Sequence, residues 1–297
     1  MKTRSKSLDP PDRPSPAPMA PGRGPAPPAG QLPWLRVAMR SDIGRVRQDN
    51  QDTVFGLTAL LPAPSGGPPL PFGFFAVADG MGGLSGGALA SRTAIGMVSA
   101  QVVQELLVPA LSGQAGSAGQ RTVAEILTAA LCTASSAVFQ AARRAGAPSG
   151  TTFSGAILLG RQVVTAHVGD SRIYLGGPQG LTPLTEDHSM VARLVALGQF
   201  TPEEARSNPQ RNVLYRSLGQ ADQVEVQSAS HAWRGQSHLL LCSDGLWDLV
   251  GDADLAAILR SAPDLDQAAD ALIAAANAQG GPDNISVILV QLPQEPA

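Results

Sequence analysis

Phe74-Phe75-Ala76-Val77-Ala78-Asp79-Gly80-Met81-Gly82-Gly83 is the stretch on which the reading turns: an apolar run of strand character ends in a carboxylate and a glycine-rich turn. The same ending recurs. Val163 to Gly169 runs into Asp170, Leu239-Leu240-Leu241-Cys242-Ser243 runs into Asp244-Gly245, and Asp283-Asn284 directly precede Ile285-Ser286-Val287-Ile288-Leu289-Val290. Each alone has an ordinary explanation, because Asp-Gly is a favoured turn pair and aspartate often closes a strand by accepting from the next backbone amides. The set asks for more. Strands ending in carboxylates can gather those groups at one rim of a sheet, where their repulsion is costly unless cations neutralise it. The donors on offer are carboxylates, a backbone carbonyl such as that of Gly80, and water, which suit Mg²⁺ or Mn²⁺ better than zinc. The four histidines, His167, His188, His231 and His238, stand apart in sequence and offer no zinc spacing.

Upstream lies Ser41-Asp42-Ile43-Gly44-Arg45-Val46-Arg47-Gln48-Asp49-Asn50-Gln51-Asp52. A cation beside metal-binding carboxylates has no part in holding the metal, but it fits the docking of an anion. Arg47 could grip a phosphoryl group with its planar fork while Asp52 supports the metals from behind their direct ligands. A solvated turn with ordinary ion pairs is the competing reading of this segment alone.

Composition narrows the field. The 297 residues are 43% hydrophobic, enough for the core of one catalytic-sized domain. With 21 basic and 24 acidic residues the formal charge is -3, so no broad positive field invites nucleic acid. No apolar run in the sequence reads as a membrane span and the N-terminus lacks a secretory h-region, so the expectation is a cytoplasmic chain with no membrane partner, acting as a monomer. Cys132 and Cys242 read as small buried side chains rather than as a disulfide or a nucleophile. Residues 1–33, rich in proline, alanine and glycine, are expected to form a flexible tail, and 34–293 the folded domain. Residues 62–71 read as a loop.

Strands are expected at 34–40, 53–58, 72–78, 152–159, 162–168, 172–176, 222–228, 237–243 and 284–292. Helices are expected at about 86–109, 121–145, 188–198, 252–261 and 264–279. Helices in pairs and strands in runs predict an α+β domain with helix pairs covering a largely antiparallel sheet system, not a βαβ alternation. No glycine-rich nucleotide loop is present.

Seven segments, in order, resemble the type 2C family of metal-dependent serine/threonine protein phosphatases in its bacterial form. They are Ser41-Asp42-x-Gly44-x-x-Arg47-x-x-Asn50-Gln51-Asp52, Val77-Ala78-Asp79-Gly80-Met81-Gly82-Gly83, Gly150-Thr151-Thr152, Val168-Gly169-Asp170-Ser171-Arg172, Leu184-Thr185-x-Asp187-His188-Ser189, Cys242-Ser243-Asp244-Gly245-Leu246-Trp247-Asp248 and Gly281-Pro282-Asp283-Asn284-Ile285-Ser286-Val287. The resemblance implies a four-layer αββα sandwich, two antiparallel sheets flanked by helix pairs. It implies that Asp79 bridges two core Mn²⁺ or Mg²⁺ ions, that Gly80 adds its carbonyl, that Asp244 and Asp283 complete one site, and that Asp170 helps to bind a third, weaker ion. Arg47 matches the phosphate-gripping arginine. The implied activity is hydrolysis of phosphoserine and phosphothreonine in proteins, partnered by a cognate serine/threonine kinase, through direct attack of a water or hydroxide bridging the metals. Residues 188–218 match a segment that carries a flap beside the active site in bacterial relatives. Two positions depart from the pattern. Gln51 stands where many members have glutamate, which leaves open a catalytically weak phosphoprotein-binding scaffold, and Met81 stands where some eukaryotic members carry a histidine proposed as general acid.

Overall fold

Nearly continuous apolar runs in the central strands, buried on both faces, and ladders of backbone hydrogen bonds sort the strands into two antiparallel sheets. The computed structural model describes residues 34–63, 68–83, 85–113, 121–234 and 238–292. One sheet has the order β1-β11-β10-β7-β8, built from β1 (Arg36–Asp42), β7 (Arg172–Gly177), β8 (Gly180–Pro183), β10 (His238–Cys242) and β11 (Ile285–Gln291). The other runs β2-β3-β5-β6-β9, from β2 (Asp52–Leu61), β3 (Leu70–Gly82), β5 (Phe153–Leu159), β6 (Gln162–Val168) and β9 (Gln227–Ala232), with β4 (Ser149–Thr151) paired to the end of β3.

Three apolar clusters give the layer order. Phe75, Val77, Ile173, Trp233 and Leu241 pack between the two sheets. Phe72, Phe74 and Val98 belong to a second cluster, in which the outer face of the β3 sheet meets α1 (Gly86–Val102) and α3 (Val123–Ala145). Leu240, Leu255 and Leu272 belong to a third, in which the β10 sheet meets α7 (Asp252–Ser261) and α8 (Leu265–Ala278). The result is the four-layer αββα sandwich that the sequence resemblance implied. Helix α1 runs through a π turn at Val103–Leu107 into α2 (Val108–Leu111). Three short helices, α4 (Met190–Ala196), α5 (Pro202–Ser207) and α6 (Asp244–Trp247), complete the fold.

Several expectations need adjusting. The strand read at 222–228 lies instead at Gln227–Ala232, because pairing to β6 begins only at Gln227, while Val224 and Val226 turn to the α-helical core. β9 is an edge strand with alternating exposure and little apolar content, so its sequence carried no strong strand signal. Asp79 does not close its strand, since β3 continues to Gly82 through the pairing with β4. Two helical stretches, Gly86–Leu111 and Val123–Ala145, are long and apolar enough to cross a membrane by length and composition, contrary to the reading of the sequence. Both bury one side on the sheet, as core helices do, and α3 opens with a capping box between Thr122 and Glu125. The tail at 1–33 lies outside the described residues, as do 64–67 of the proline-rich loop and residue 293 of the expected domain.

Candidate metal centre

Both sheets deliver carboxylates to one rim. On β2 and β3, Asp52 and Asp79 are direct cross-strand neighbours, an arrangement that places like charges opposite each other and is unfavourable without a counter-ion. The Asp79 backbone is fixed on both sides: its N–H donates to Thr152 Oγ1 at 2.9 Å, and its carbonyl accepts from Thr152 N–H at 2.9 Å and Thr151 Oγ1 at 2.8 Å. Gly80 N–H donates to the Gln51 carbonyl at 3.2 Å.

The other sheet brings Asp244 and Asp283. Asp244 opens the single-turn helix α6, and Asp283 sits in the loop before β11. Two glycines make that crowding possible. A Cβ on Gly245 would lie 2.0 Å from the Asn284 carbonyl oxygen, and one on Gly44, whose φ is +80°, would lie 2.2 Å from that of Asp283. Asn284 then staples the upstream loop to β11: its Oδ1 accepts from Gln51 N–H at 2.9 Å, and its Nδ2 donates to the carbonyls of Ile43 and Asp49, each at 3.0 Å. Asn284 is a site-shaping residue that the strand-end aspartates alone do not point to. Its signal is an amide with both donors and an acceptor placed beside a strand start.

Asp170 follows β6 in a turn and is buried, with 5% of its surface exposed. Its carbonyl accepts from the Trp247 indole N–H at 2.9 Å. The neighbouring Arg172 lies 3.4 Å over the Trp247 ring and forms a two-pronged pair with Asp187, at 2.9 and 2.7 Å, so its charge is already matched. Asp187 and Asp170 thus hang from one brace.

The electrostatics of the cluster are those of trapped negative charge. Burial first, then the neighbouring charges of Asp52, Asp244, Asp170 and Asp283, hold the Asp79 carboxyl well above its ordinary range. Burial and Asp283 and Asp52 push Asp244 up to about 7. Asp52 rises to about 6, chiefly by burial, and Asp170 is raised by burial and by Asp244. Among the described residues, Asp52 Oδ1 and Asp244 Oδ1 are buried carboxylate oxygens without a hydrogen-bond partner. A buried oxygen left so is expensive unless a cation or water meets it.

These groups surround a cavity of about 480 Å³ whose wall includes Arg47, Asp79, Gly80, Asp170, Asp244 and Asp283. Asp52 does not line it and stands behind Asp79. Arg47 Nη2 donates to Asp283 Oδ2 at 2.6 Å, and Asn212 and Leu214, from the segment after α5, complete the wall. Arg47, Asp79, Gly80, Asp170, Asp244 and Asp283 therefore converge on the cavity, and Asp52 adjoins it through Asp79. Among the described residues no three carboxylate, histidine or cysteine side chains lie close enough to cage an ion by themselves. The donor set accordingly suits small hard cations that keep much of their water and accept a carbonyl, rather than zinc. His167 and His188 do meet, with ring centroids 4.8 Å apart, although they stand apart in sequence. Their nitrogens face protein partners, not the cavity.

Residues 39–285 match the family model described as protein phosphatase 2C. The chain belongs to the protein phosphatase 2C family. This phosphatase 2C domain is 35% identical over 259 residues to the serine/threonine phosphatase stp of Listeria innocua, covering 86% of the chain and 96% of that relative. It is 34% identical over 262 residues to the serine/threonine protein phosphatase PstP of Mycobacterium tuberculosis, covering 87% of the chain and 45% of PstP. The crystal structure of M. tuberculosis PstP/Ppp matches with a TM-score of 0.72 at 33% identity, over 88% of this chain and 99% of that one. The catalytic domain of PstP, solved in complex with two manganese ions, matches with a TM-score of 0.69 at 30% identity, over 88% and 99% of the two chains.

Proposed function

We propose that this phosphatase 2C chain removes phosphate from phosphoserine and phosphothreonine in proteins, with Mn²⁺ or Mg²⁺ as cofactor and Asp79, Asp244, Asp283 and the Gly80 carbonyl as the donors nearest two core ions. One observation carries the reading: buried carboxylates with raised proton affinity, among them Asp244 with an unpartnered oxygen, wall a cavity that also holds an arginine. Asp170 lines the same cavity and is assigned to a third, weaker site. When bound, such ions supply the Lewis acidity that makes water nucleophilic near neutral pH and neutralise charge gathering on phosphorus-bound oxygens.

The chain's own residues do the rest. Arg47 would orient the phosphoryl group from the cavity wall, where its guanidinium holds an Asp283 oxygen. The carboxylates must be ionised to serve, so cation binding and proton release go together. Met81 lines the same cavity and its thioether cannot donate a proton, so protonation of the leaving alkoxide needs another donor. Neither cysteine takes part: Cys242 is fully buried in β10 and its thiol is pushed up to about 12 by burial.

Gln51, the feature that favoured a silent scaffold, is a structural hub. Its N–H meets Asn284, and its carbonyl accepts from both Gly80 N–H and the Ser91 hydroxyl. A serine/threonine kinase that supplies the phosphoproteins belongs to the same reading, because the substrate class requires one.

Turnover of a phosphothreonine peptide and of p-nitrophenyl phosphate tests the proposal. Both reactions should need Mn²⁺ or Mg²⁺ and stop on chelation. Undiminished turnover in EDTA overturns the metal mechanism, and an inert protein at every Mn²⁺ concentration supports the scaffold.

A further inference from the structure

The carboxylate cluster is divided between two sheets. Asp52 and Asp79 belong to the β2-β3 pair, whereas Asp244 and Asp283 stand at the ends of β10 and β11. Apolar packing between sheets is non-directional, so it brings them together without fixing their offset. A site for two small cations tolerates little error in that offset. Directional contacts are required at the rim.

Serine hydroxyls supply them. Ser243 Oγ donates to Asp52 Oδ2 at 2.8 Å, and Ser286 N–H donates to Ser243 Oγ at 2.9 Å. The Ser286 and Ser41 hydroxyls are 2.9 Å apart, and Ser41 Oγ accepts from Asn50 Nδ2 at 2.9 Å. Because the Asn50 amide nitrogen can only donate, the Ser41 proton is available to Ser286, and the Ser286 proton is free to face Asp52, whose charge it steadies. All donors then point inward to the carboxylate. Ser243 and Ser286 are fully buried, and Ser41 is the exposed outer rung.

Ser243 also behaves unlike an ordinary serine in its place. It is the N-cap of α6, where a serine hydroxyl normally accepts from a backbone N–H of the first turn, yet it makes no such bond. Its hydroxyl is turned across the sheet interface to Asp52 instead. That leaves Asp52 Oδ1 as the unpartnered oxygen of an otherwise anchored carboxylate.

The geometry points to Ser243, Ser286 and Ser41 as positioning residues, a hydroxyl ladder that pins Asp52 of one sheet to the strand ends of the other and so sets the spacing of the paired-cation site. The inference rests on the metal-phosphatase reading above. None of the three serines lines the cavity, and each acts through Asp52. A purely structural role for the same hydroxyls would lower stability equally with and without metal and leave cation affinity alone.

The test is a Mn²⁺ titration followed by electron paramagnetic resonance, on the parent chain, Ser286→Ala and Ser41→Ala, with phosphothreonine-peptide kinetics alongside. Ser286→Ala keeps the backbone donor to Ser243 and removes one hydroxyl. It should weaken the less tightly held ion roughly ten-fold and lower kcat by a similar factor with KM within about two-fold, as loss of a group supporting metal ligands does. Ser41→Ala, at the exposed rung, should weaken the same ion about three-fold. A parent that binds no Mn²⁺ overturns the phosphatase reading itself. A parent that binds two ions while Ser286→Ala binds both equally well overturns only the ladder. Should Ser286→Ala fail to fold, Ser41→Ala decides, and parent-like affinity for both ions overturns the ladder.

Discussion

Two buried polar clusters lie on either side of the Gly169-Asp170 turn, and both have strongly displaced titration. On one side Asp52 and Asp244 are raised to about 6 and about 7. On the other, His167 and His188 are pushed down to about 4 and about 3, mainly by burial. The partners differ. His167 Nδ1 pairs with the Ser154 hydroxyl at 2.8 Å and its Nε2 with the Glu186 carbonyl at 3.0 Å, while His188 Nδ1 accepts from Gly169 N–H at 3.0 Å. Burial favours the neutral form of both rings; His167 is bonded at both nitrogens and His188 ties to Gly169, with Arg216 Nη1 3.3 Å from its Nε2, so they hold the turn in place. The carboxylates are like-charged, two of their oxygens lack partners, and Asp244 opens on a cavity. Displaced titration alone does not mark a site, whereas unmatched charge facing a space does.

The sharpest way to break this comparison is to neutralise each cluster. Asp79→Asn or Asp244→Asn should cut Mn²⁺-dependent turnover by about three orders of magnitude or more, yet raise the melting temperature of the chelated protein, because a repelling charge is removed. Kinetics paired with thermal melts in EDTA checks both halves. Active variants, or ones less stable than the parent in EDTA, would break the contrast. Arg47→Ala should follow in size, raising KM roughly ten-fold or more with a smaller change in kcat. An unchanged KM removes Arg47 from the phosphate site.

The third effect is on stability. His167→Gln should cost about 1–3 kcal/mol, the range for a buried group left unmatched, while turnover per folded molecule stays within a few-fold. Denaturant titration with active-site counting measures it. A fully stable but inactive variant would move His167 into the chemistry.

The fourth effect is on pH dependence. Carboxyls raised from 3.8 to about 6 and 7 bind protons more tightly folded than unfolded, so their contribution is complete below about pH 4 and lost as pH rises to about 7. The histidines act oppositely: with folded values below 6.5, their contribution is present above that pH and lost as pH falls toward about 4. Cations require the ionised carboxylates, whereas the histidines are common to loaded and unloaded protein and cancel. The rise in melting temperature on adding Mn²⁺ should therefore grow, by several degrees, from about pH 5 to about pH 7.5. A gain that shrinks over that range contradicts the carboxylate assignment.

The same contrast explains what the sequence disclosed. Asp79, Asp170, Asp244 and Asp283 were legible because each adjoins a strongly apolar run that only a buried strand explains, and the paired helices gave away the outer layers. The position of β9 was not, since a polar edge strand needs one neighbour and little hydrophobicity. His167 and His188 looked unrelated because their contact depends on β6 pairing and on the loop after β8, which no local pattern encodes. The use of Ser243 was hidden for a similar reason. Its sequence context reads as the end of a strand, and only the meeting of two sheets turns its hydroxyl toward Asp52.

Crystals grown with Mn²⁺ and measured at the manganese absorption edge put the central claim to its most direct test. Two anomalous peaks beside Asp79, with Asp244 and Asp283 reaching one of them and Arg47 detached from Asp283, are the predicted result. A cavity without anomalous density at saturating Mn²⁺, or manganese bound away from these aspartates, would contradict it.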